Sequence, residues 1–286
     1  MENNSIMNGK KRIKDTILLC LIYISALFAV GLLAGIVIYV FIRGIGAISP
    51  AFLTTVQSPS RGTFGILGNI VNTLYIIVVT LIIATPIGIG AAVYLTEYAK
   101  PGKIVSLIEF TTQTLSGIPS IIYGLFGMVF FGTVIHLGFS ILCGCLTLAV
   151  MVLPIIISTT QSALKTVPLS YRTGALGIGA TKWYMIRTVI LPSAMPGIVT
   201  SVILSIGRIV GESAALLFTA GSAYILPKSL FGHIFNAGGS LTIQMYLSMS
   251  KADYTNAFGI ALVLICIVLL INFLTKVITQ KGTQKR

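Results

Sequence analysis

Two ionisable side chains stand inside a long, otherwise uncharged stretch of the sequence. Arg208 and Glu212 are four residues apart within Ile206–Ala215, which places both on one face of a continuous α-helix. If this stretch crosses a membrane, each charge costs about 3 kcal/mol or more at the bilayer centre, so such residues usually serve a function. Two interpretations are open: Arg208 helps an anion across, or the two charges neutralise each other and join helices. Since Glu212 would repel an anion, its expected role is to hold Arg208 or a partner cation.

A second polar group surrounds a proline in Thr114–Gly124. Pro119 removes a backbone donor and Gly117 loosens the helix, so the sequence predicts a break or a kink there. A broken helix presents free N–H groups and a positive half-dipole, which suit a negative ligand. Ser116 and Ser120 add hydroxyl groups to the same region. This segment is therefore a second candidate wall of an anion path.

The composition defines the environment of these residues. Hydrophobic residues make up 56% of the 286 residues and charged residues 9%, whereas an ordinary globular protein has about 25% charged residues. The net charge of +13 would fit nucleic-acid binding, but the basic residues are spread between apolar runs, which favours a membrane. The four cysteines lie inside apolar runs without zinc-site spacing, so we expect neither a metal nor a disulfide. The sequence predicts an all-α polytopic membrane protein.

The apolar runs predict six membrane-spanning helices, since a helix needs about 20 residues to cross. Treating 110–164 as two spans puts most Lys and Arg residues on the cytoplasmic side, whereas treating it as one span puts more of them outside. The positive-inside rule therefore favours six spans with both termini cytoplasmic. Residues 1–286 form one transmembrane domain, with a basic cytoplasmic tail at 1–15 and a cytoplasmic segment at 165–193. The expected spans are 16–42, 68–95, two within 110–164 separated at 136–140, one near 194–220 and one near 255–276.

Three polar residues near the start of the second span and two histidines remain. Asn72, with Asn69 and Thr73, could face the same anion cavity, although polar contacts between helices are the commoner reason for such residues. His136 and His233 fall in outside segments, and neither has the companions of a catalytic triad or a metal site. We expect both histidines to be solvated loop residues, with no catalytic residue in the chain.

The cytoplasmic segment 165–193 has the pattern of a short amphipathic pair. Pro168 suits the first turn of a helix and Pro192 ends the pattern before the fifth span. Gly179 favours a bend between two short helices. The alternative is a helix lying in the lipid headgroups. The residues that follow the spacing of one helical face are Leu176, Gly179, Ala180, Trp183 and Ile186.

This segment resembles the EAA loop of ABC importer permeases. The resemblance lies in Arg172–Trp183 followed by Ile190–Pro192, and in that family the loop docks in a groove on an ATPase subunit. Thr173 and Gly174 stand where Glu and the first Ala are usual, so the charge contact of that Glu is missing. The sequence has no Gly-x-x-x-x-Gly-Lys-[Ser/Thr] motif, so any ATP is expected to be hydrolysed by another subunit. The resemblance implies an ATPase-coupling role for Ala175, Leu176, Gly179, Ala180 and Trp183.

Two membrane motifs are similar to those of the Pst phosphate permeases. They are Leu115–Gly127 and Gly207–Ala215, while Ser240–Tyr246 resembles the PstA type of subunit more than the PstC type. The resemblance covers about 66–275. It implies a bacterial cell-membrane permease that pairs with a PstC-type subunit, a PstB-type ATPase dimer and an extracellular PstS-type phosphate-binding protein, without a cofactor. The residues expected to line the translocation path are Arg208, Glu212, Ser116, Ser120 and Asn72.

Three other functions are weighed against phosphate import. A permease for another oxyanion would use the same residues. An ion-driven secondary transporter would need carboxylates for a coupling ion within the membrane, where Glu212 is the single mid-span candidate, and no inverted pair of broken helices is evident. A membrane enzyme would combine Glu212 with His233, which the topology places at different depths. Copurification of an ATPase and a second permease would separate the importer from the other two classes.

Overall fold

The structure, a computed structural model, describes residues 13–58, 62–100, 102–226 and 232–284. The predicted basic tail at 1–15 therefore lies outside the described residues as far as residue 12. An antiparallel hairpin of β1 (Val56–Ser58) and β2 (Thr63–Ile66) pairs Val56 with Ile66. The helices are α1 (Ile13–Gly44), α2 (Pro50–Thr54), α3 (Leu67–Val93), α4 (Lys103–Ser116), α5 (Ser120–Gly127), α6 (Ile141–Lys165), α7 (Leu169–Gly177), α8 (Lys182–Met185), α9 (Leu191–Val210), α10 (Ala214–Thr219), α11 (Leu241–Ser250) and α12 (Tyr254–Gln284).

Wider π-helical turns extend three of these helices, and two short 3-10 turns lie between others. The π-helical turns follow α3 at Tyr94–Tyr98, follow α5 at Met128–Val134 and precede α9 at Ile186–Ile190. The 3-10 turns are Ile45–Ala47 and His233–Phe235. Every described membrane-spanning stretch is therefore built from helices, as predicted.

Helix α6 lies at the centre of the bundle, and its two ends define the Ile141 end and the Lys165 end of the molecule. α3 runs parallel to α6, since the Cys145 thiol contacts the Ile76 carbonyl oxygen and Gly88 packs closely on Ile156. α9 runs antiparallel to α6, since the Thr160 hydroxyl donates to Ser201 at 3.4 Å and Gly197 packs closely on Ala163. Glycine at the contact lets two helices approach closely.

Six stretches of the described chain are long and apolar enough to span a membrane, when one bent pair is taken as a single span. This confirms the predicted number of spans. Within the fifth span the helix stops at Val210, and after a short connection the chain continues as α10 to Thr219, whose carbonyl accepts the Ser140 N–H at the Ile141 end. The spans are Asp15–Ala47, Leu67–Tyr98, Lys103–Ser116 with Ser120–Val134, Ile141–Lys165, Lys182–Val210 and Tyr254–Val277.

The third span is broken as predicted, with a bend of 103° between α4 and α5. Its arms reach opposite ends of α6. Glu109 of α4 accepts a hydrogen bond from Gln161, near the Lys165 end. Gly127 at the end of α5 packs on Thr147, in the half of α6 that begins at Ile141. The bent pair therefore crosses the bundle and does not return to the side on which it began.

Buried apolar side chains form two clusters. The larger one fills the centre of the bundle and includes Leu148, Val152 and Ile156 of α6, all fully buried. The smaller one, which we call the second cluster, joins the ends of α3 and α6 to the end of α8 and the first half of α9. It comprises Ala92, Val93, Leu164, Val167, Met185, Ile186, Ile190, Ala194 and Ile198.

Close packing of α5 on α6 generates a stability prediction. A methyl group at Gly127 would collide with the side chain of Thr147, whereas one at Gly90 in α3 meets nothing within 4 Å. Gly127→Ala should therefore lower the stability of the purified protein by about 1–3 kcal/mol, the usual cost of overpacking. Gly90→Ala should be neutral or mildly stabilising because alanine favours a helix. Thermal unfolding in detergent measures both variants, and equal melting temperatures would contradict this packing.

Candidate functional site

The fifth span stops at a break that places Arg208 and Glu212 in different settings. α9 ends at Val210 and α10 begins at Ala214. Glu212 lies in the connection, and its Oε1 accepts a hydrogen bond from the Ala215 N–H at 3.0 Å. The two charged residues are therefore not on one continuous helix, contrary to the i, i+4 expectation. The reason is local, since a carboxylate that caps the next helix competes with continuation of the first.

Arg208 and Glu212 also differ in exposure. The Glu212 side chain is buried, at 6% exposure, while Arg208 is exposed. In the part of the chain that the structure describes, the ion pairs are Lys165–Glu109 and Arg172–Glu97, so Arg208 and Glu212 do not form one. The interpretation that they neutralise each other directly therefore has no contact to support it.

Arg208 lies near the middle of the bundle. Ser201 of α9 is beside Thr160 of α6, and Arg208 is about 10 Å further along α9 at the α-helical rise. Thr160 is itself about 8 Å from Lys165, the last residue of α6. Since the 25 residues of α6 span about 37 Å, the backbone of Arg208 lies roughly halfway between the two ends.

A cavity of about 350 Å³ brings the two helix breaks together. Ser120, the first residue of α5, stands at its wall opposite the break that follows α9. The N-terminal end of a helix carries a partial positive charge, so both α5 and Arg208 favour an anion there. The residues that line the cavity are Ser120, Gly207, Arg208, Gly211, Glu212, Ser213 and Ala214.

Two contacts that sequence reasoning missed hold the cavity in shape. Tyr123 is buried and its hydroxyl donates to the Leu115 carbonyl at 2.8 Å, which fixes the bend between α4 and α5. Thr242 of α11 donates to the Glu212 carbonyl at 2.8 Å, which satisfies the backbone of the other break. A tyrosine a few residues after a predicted helix break, as Tyr123 is after Pro119, could have indicated the first contact from the sequence. The Thr242 contact joins residues 30 positions apart, and no local pattern indicates it.

Ser116 occupies a different position from Ser120. It is the last residue of α4 and is exposed, and its hydroxyl donates to the Gln113 carbonyl at 2.6 Å. It is not among the residues that line the cavity around Arg208. Of the two serines, Ser120 is the one that the structure places beside Arg208.

Asn72 lies away from the cavity and binds the chain between α10 and α11. It is fully buried, its Oδ1 is 2.8 Å from His233 Nε2, and its amide donates to the Ile225 carbonyl. Thr73 accepts the Leu241 N–H at 2.9 Å. The contacts of Asn72 are thus the interhelical and loop contacts that were the commoner alternative.

The expectation for His233 was wrong. Its side chain is 2% exposed, because the 3-10 turn His233–Phe235 folds back against α3, where the ring also meets Tyr75 edge-on. Burial lowers the pKa of His233 from its ordinary value. The neutral imidazole can donate its Nε2–H to Asn72. His136 is exposed and has a φ of 63°, in agreement with the loop expected there.

The segment predicted to couple with an ATPase forms two short helices, α7 and α8, as expected. α7 ends at Gly177 and α8 begins at Lys182, and the bend contains Gly179 with a φ of +85°, a backbone conformation that favours glycine. Ala175 and Ala180 are half-buried and Gly179 is exposed. Among the apolar side chains that this segment exposes are Leu176, at 49% exposure, Ile178 at 88% and Trp183 at 60%.

The class of this protein follows from its sequence family. Residues 84–281 match the family described as binding-protein-dependent transport system inner membrane component, and the chain belongs to it. It is a multi-pass membrane subunit of a transport system.

Relatives narrow that class to ABC transporter permeases. The phosphate transport system permease protein PstA of Yersinia pestis is 34% identical over 285 residues, which cover 98% of this chain and 95% of that protein. The probable ABC transporter permease protein YqgI of Bacillus subtilis is 36% identical over 211 residues, or 74% of this chain and 72% of that protein.

Solved structures show the same fold. The bacterial alginate ABC transporter, in complex with its alginate-bound periplasmic protein, gives a TM-score of 0.69 at 16% identity and covers 94% of this chain and 96% of that one. The inward-facing MetNI methionine ABC transporter gives a TM-score of 0.57 at 20% identity, covering 77% and 94%. The arrangement of spans in this chain is therefore that of ABC importer membrane subunits.

The contact between His233 and Asn72 predicts a pH dependence of stability. Because burial lowers the pKa of His233, the neutral ring stabilises the fold above the ordinary histidine pKa of about 6.5. That contribution is lost as the pH falls through the lowered value. Between about pH 7 and pH 5, the melting temperature of the wild type should fall more steeply than that of His233→Gln, whose neutral amide can still donate to Asn72. Parallel slopes for the two proteins would contradict this assignment.

Proposed function

We propose that this chain is the PstA-type permease subunit of an ATP-driven importer of inorganic phosphate. The PstA proteins of Yersinia pestis and Pasteurella multocida are 34% and 31% identical to it over almost its whole length. The observation that carries the proposal is the exposed Arg208 guanidinium at a cavity between two helix breaks, halfway along the bundle.

Phosphate has the chemistry that this cavity complements. At neutral pH it carries one to two negative charges and cannot enter a hydrocarbon-walled path unaided. A guanidinium stays charged at every physiological pH, and its planar fork matches two phosphate oxygens. The Ser120 hydroxyl and the N-terminal end of α5 add a donor and a partial positive charge on the facing wall. Together they offer an anion a polar station in mid-membrane.

Glu212 keeps the affinity of this cavity for the anion low enough for the anion to be released. Its carboxylate is buried at the cavity wall and repels an anion, while its hydrogen bond to Ala215 keeps α10 in place. An ion held by one arginine next to a carboxylate binds less tightly than one held by several cations. We infer that transport needs this balance, and that high affinity belongs to the separate binding protein.

The partners proposed are a PstC-type permease, a PstB-type ATPase dimer and an extracellular PstS-type phosphate-binding protein. The sequence has no P-loop motif of its own, which favours ATP hydrolysis on another subunit. We place the Lys165 end and both termini in the cytoplasm, because this orientation puts most Lys and Arg residues inside. α7 and α8 then face the ATPase, and the chain between α10 and α11 faces the binding protein.

The proposal is tested by ATPase activity of the reconstituted complex. With binding protein present, phosphate should stimulate hydrolysis, and sulfate or molybdate at the same concentration should not. Stimulation by another oxyanion but not by phosphate would show that the transported substrate is that oxyanion, while the proposal of ATP-driven import would still hold. Uptake driven by an ion gradient without ATP would contradict the importer itself.

Arg208→Ala should reduce phosphate uptake about a hundredfold while the complex still assembles. Losing the compensation for a charge in mid-membrane costs about 3 kcal/mol, which corresponds to roughly a hundredfold slower uptake. Assembly should survive because Glu212 keeps its own hydrogen bond to Ala215 when Arg208 is removed. Arg208→Lys should be impaired because a point charge lacks the fork. Labelled phosphate uptake in liposomes and subunit copurification measure these effects.

The matched control is Arg43→Ala. Arg43 is an exposed arginine near the Ile141 end that stacks over Tyr39, so its removal should leave uptake within about twofold, since a single exposed cation–π contact is worth about 0.5–1 kcal/mol. The double variant Arg208→Ala with Glu212→Gln discriminates further. Normal uptake in a well-assembled double variant would show that the two charges only join helices.

Trp183→Ala should weaken association with the ATPase. Trp183 is a large exposed aromatic side chain on α8, and truncation of such an anchor commonly costs 2 kcal/mol or more of binding, about thirtyfold in affinity. Membrane insertion should be unaffected. Phe235→Ala, which removes an aromatic ring of similar exposure at the Ile141 end, is the control. Unchanged copurification of the ATPase with Trp183→Ala would show that α8 does not dock.

A further inference from the structure

Arg172 of α7 joins the coupling segment to two membrane helices at once. Its Nε and Nη2 donate to Glu97 at 3.1 and 2.8 Å. Glu97 belongs to the π-helical turn that continues α3. Nη2 also donates to the Leu164 carbonyl at 2.9 Å, and Nη1 to the Val167 carbonyl at 2.7 Å. All three guanidinium nitrogens are therefore engaged, with the end of α3 on one side and the end of α6 on the other.

This ion pair is largely removed from solvent. The Arg172 and Glu97 side chains are 17% and 5% exposed. The neighbouring pair, Lys165 with Glu109, is longer at 3.6 Å and has exposures of 62% and 37%. Loss of one partner from a buried pair leaves an uncompensated charge and strongly destabilises the fold, whereas an exposed pair contributes little to stability. The two pairs thus provide a buried joint and an exposed comparison at the same end of the bundle.

A second attachment lies on the other side of the Gly179 bend. The Lys182 ammonium of α8 stands 5.0 Å from the centre of the Tyr98 ring, in the same π-helical turn as Glu97. Met185 at the end of α8 and Ile186 after it are buried in the second cluster with Leu164 and Val167. α7 and α8 are therefore both tied to the end of α3 and are not a free loop.

We propose that the Glu97–Arg172 pair is the mechanical joint that makes α7 and α8 move as one body with the ends of α3 and α6. This inference rests on the proposed coupling role of the segment and adds the residues that transmit its motion. Without the pair, a force on the exposed face of α7 would be absorbed by the short 166–168 link and by the bend at Gly179. With it, displacement of α7 pulls directly on α3 and α6. Glu97 and Arg172 are positioning residues that do not touch the transported ion.

The test measures coupling separately from assembly. Glu97→Gln keeps an oxygen acceptor but removes the charge, and Arg172→Lys keeps the charge but removes the fork. In the full complex in liposomes, each variant should retain the ATPase within about twofold of wild type. Phosphate transported per ATP hydrolysed should fall about tenfold or more, the effect of about 1.4 kcal/mol. Lys165→Gln, at the exposed pair, should leave this ratio unchanged.

Two results would overturn the joint. One is an unchanged transport ratio in an assembled Glu97→Gln or Arg172→Lys complex. The other is a loss of ATPase retention in parallel with transport in both variants, which would show a role in folding or docking only. If phosphate does not stimulate ATP hydrolysis by the wild-type complex, the proposed function itself fails. That result is obtained with the wild type alone, so it is distinguishable from a failure of the joint.

A distance measurement tests the joint without reference to the substrate. Nitroxide labels at Thr173→Cys on α7 and Tyr94→Cys at the end of α3, both exposed positions, report the separation of the two elements in a background without the native cysteines. In the complex with wild-type Glu97 and Arg172, the distance distribution should be narrow and the same with and without ATP. It should broaden when Glu97→Gln is added. A distance that changes with ATP while the pair is intact would disprove rigid-body motion.

Discussion

A backbone amide in hydrocarbon must find its hydrogen-bond partner inside the protein, and this requirement organises the membrane body. Irregular backbone at membrane depth is tolerated only where it is buried in protein or lines a polar cavity. The chain leaves helical geometry in mid-bundle at Gly117–Pro119 and again at Gly211–Ser213. Both breaks meet at the cavity that holds Arg208. The groups that satisfy them, Tyr123 and Thr242 among them, are therefore as much a part of the site as the charge.

The two ends of the bundle are held by different chemistry. At the Ile141 end, buried amides, hydroxyls and His233 connect α3 to the chain between α10 and α11. At the Lys165 end, the ends of α3 and α6 are held to α7 and α8 by the apolar contacts of the second cluster and by the buried Arg172–Glu97 ion pair. This division fits the proposed function, in which the two ends contact different partners.

Local signals in the sequence predicted the parts of the fold that depend on a few adjacent residues. Apolar runs and basic flanks indicated six spans, Pro119 indicated the break in the third, and Gly179 indicated the bend between α7 and α8. The sequence did not indicate that Thr242 donates to the Glu212 carbonyl, 30 positions away, or that Asn72 binds His233, which is 161 positions away. Such contacts depend on how helices are placed around α6, and no spacing rule within one helix contains that information. The same limit explains why Asn72 was expected in the anion cavity.

The broken third span has a consequence for biosynthesis. α4 has 14 residues, and neither arm alone reaches the roughly 20 residues that a helix needs to cross the hydrocarbon. The bend is braced by Gly124 against Ala215 of α10, a helix that leaves the ribosome some ninety residues later. Until then the peptide groups at Gly117–Pro119 lack their final surroundings. The nascent chain therefore passes through a stage in which this segment lacks its final contacts inside the protein.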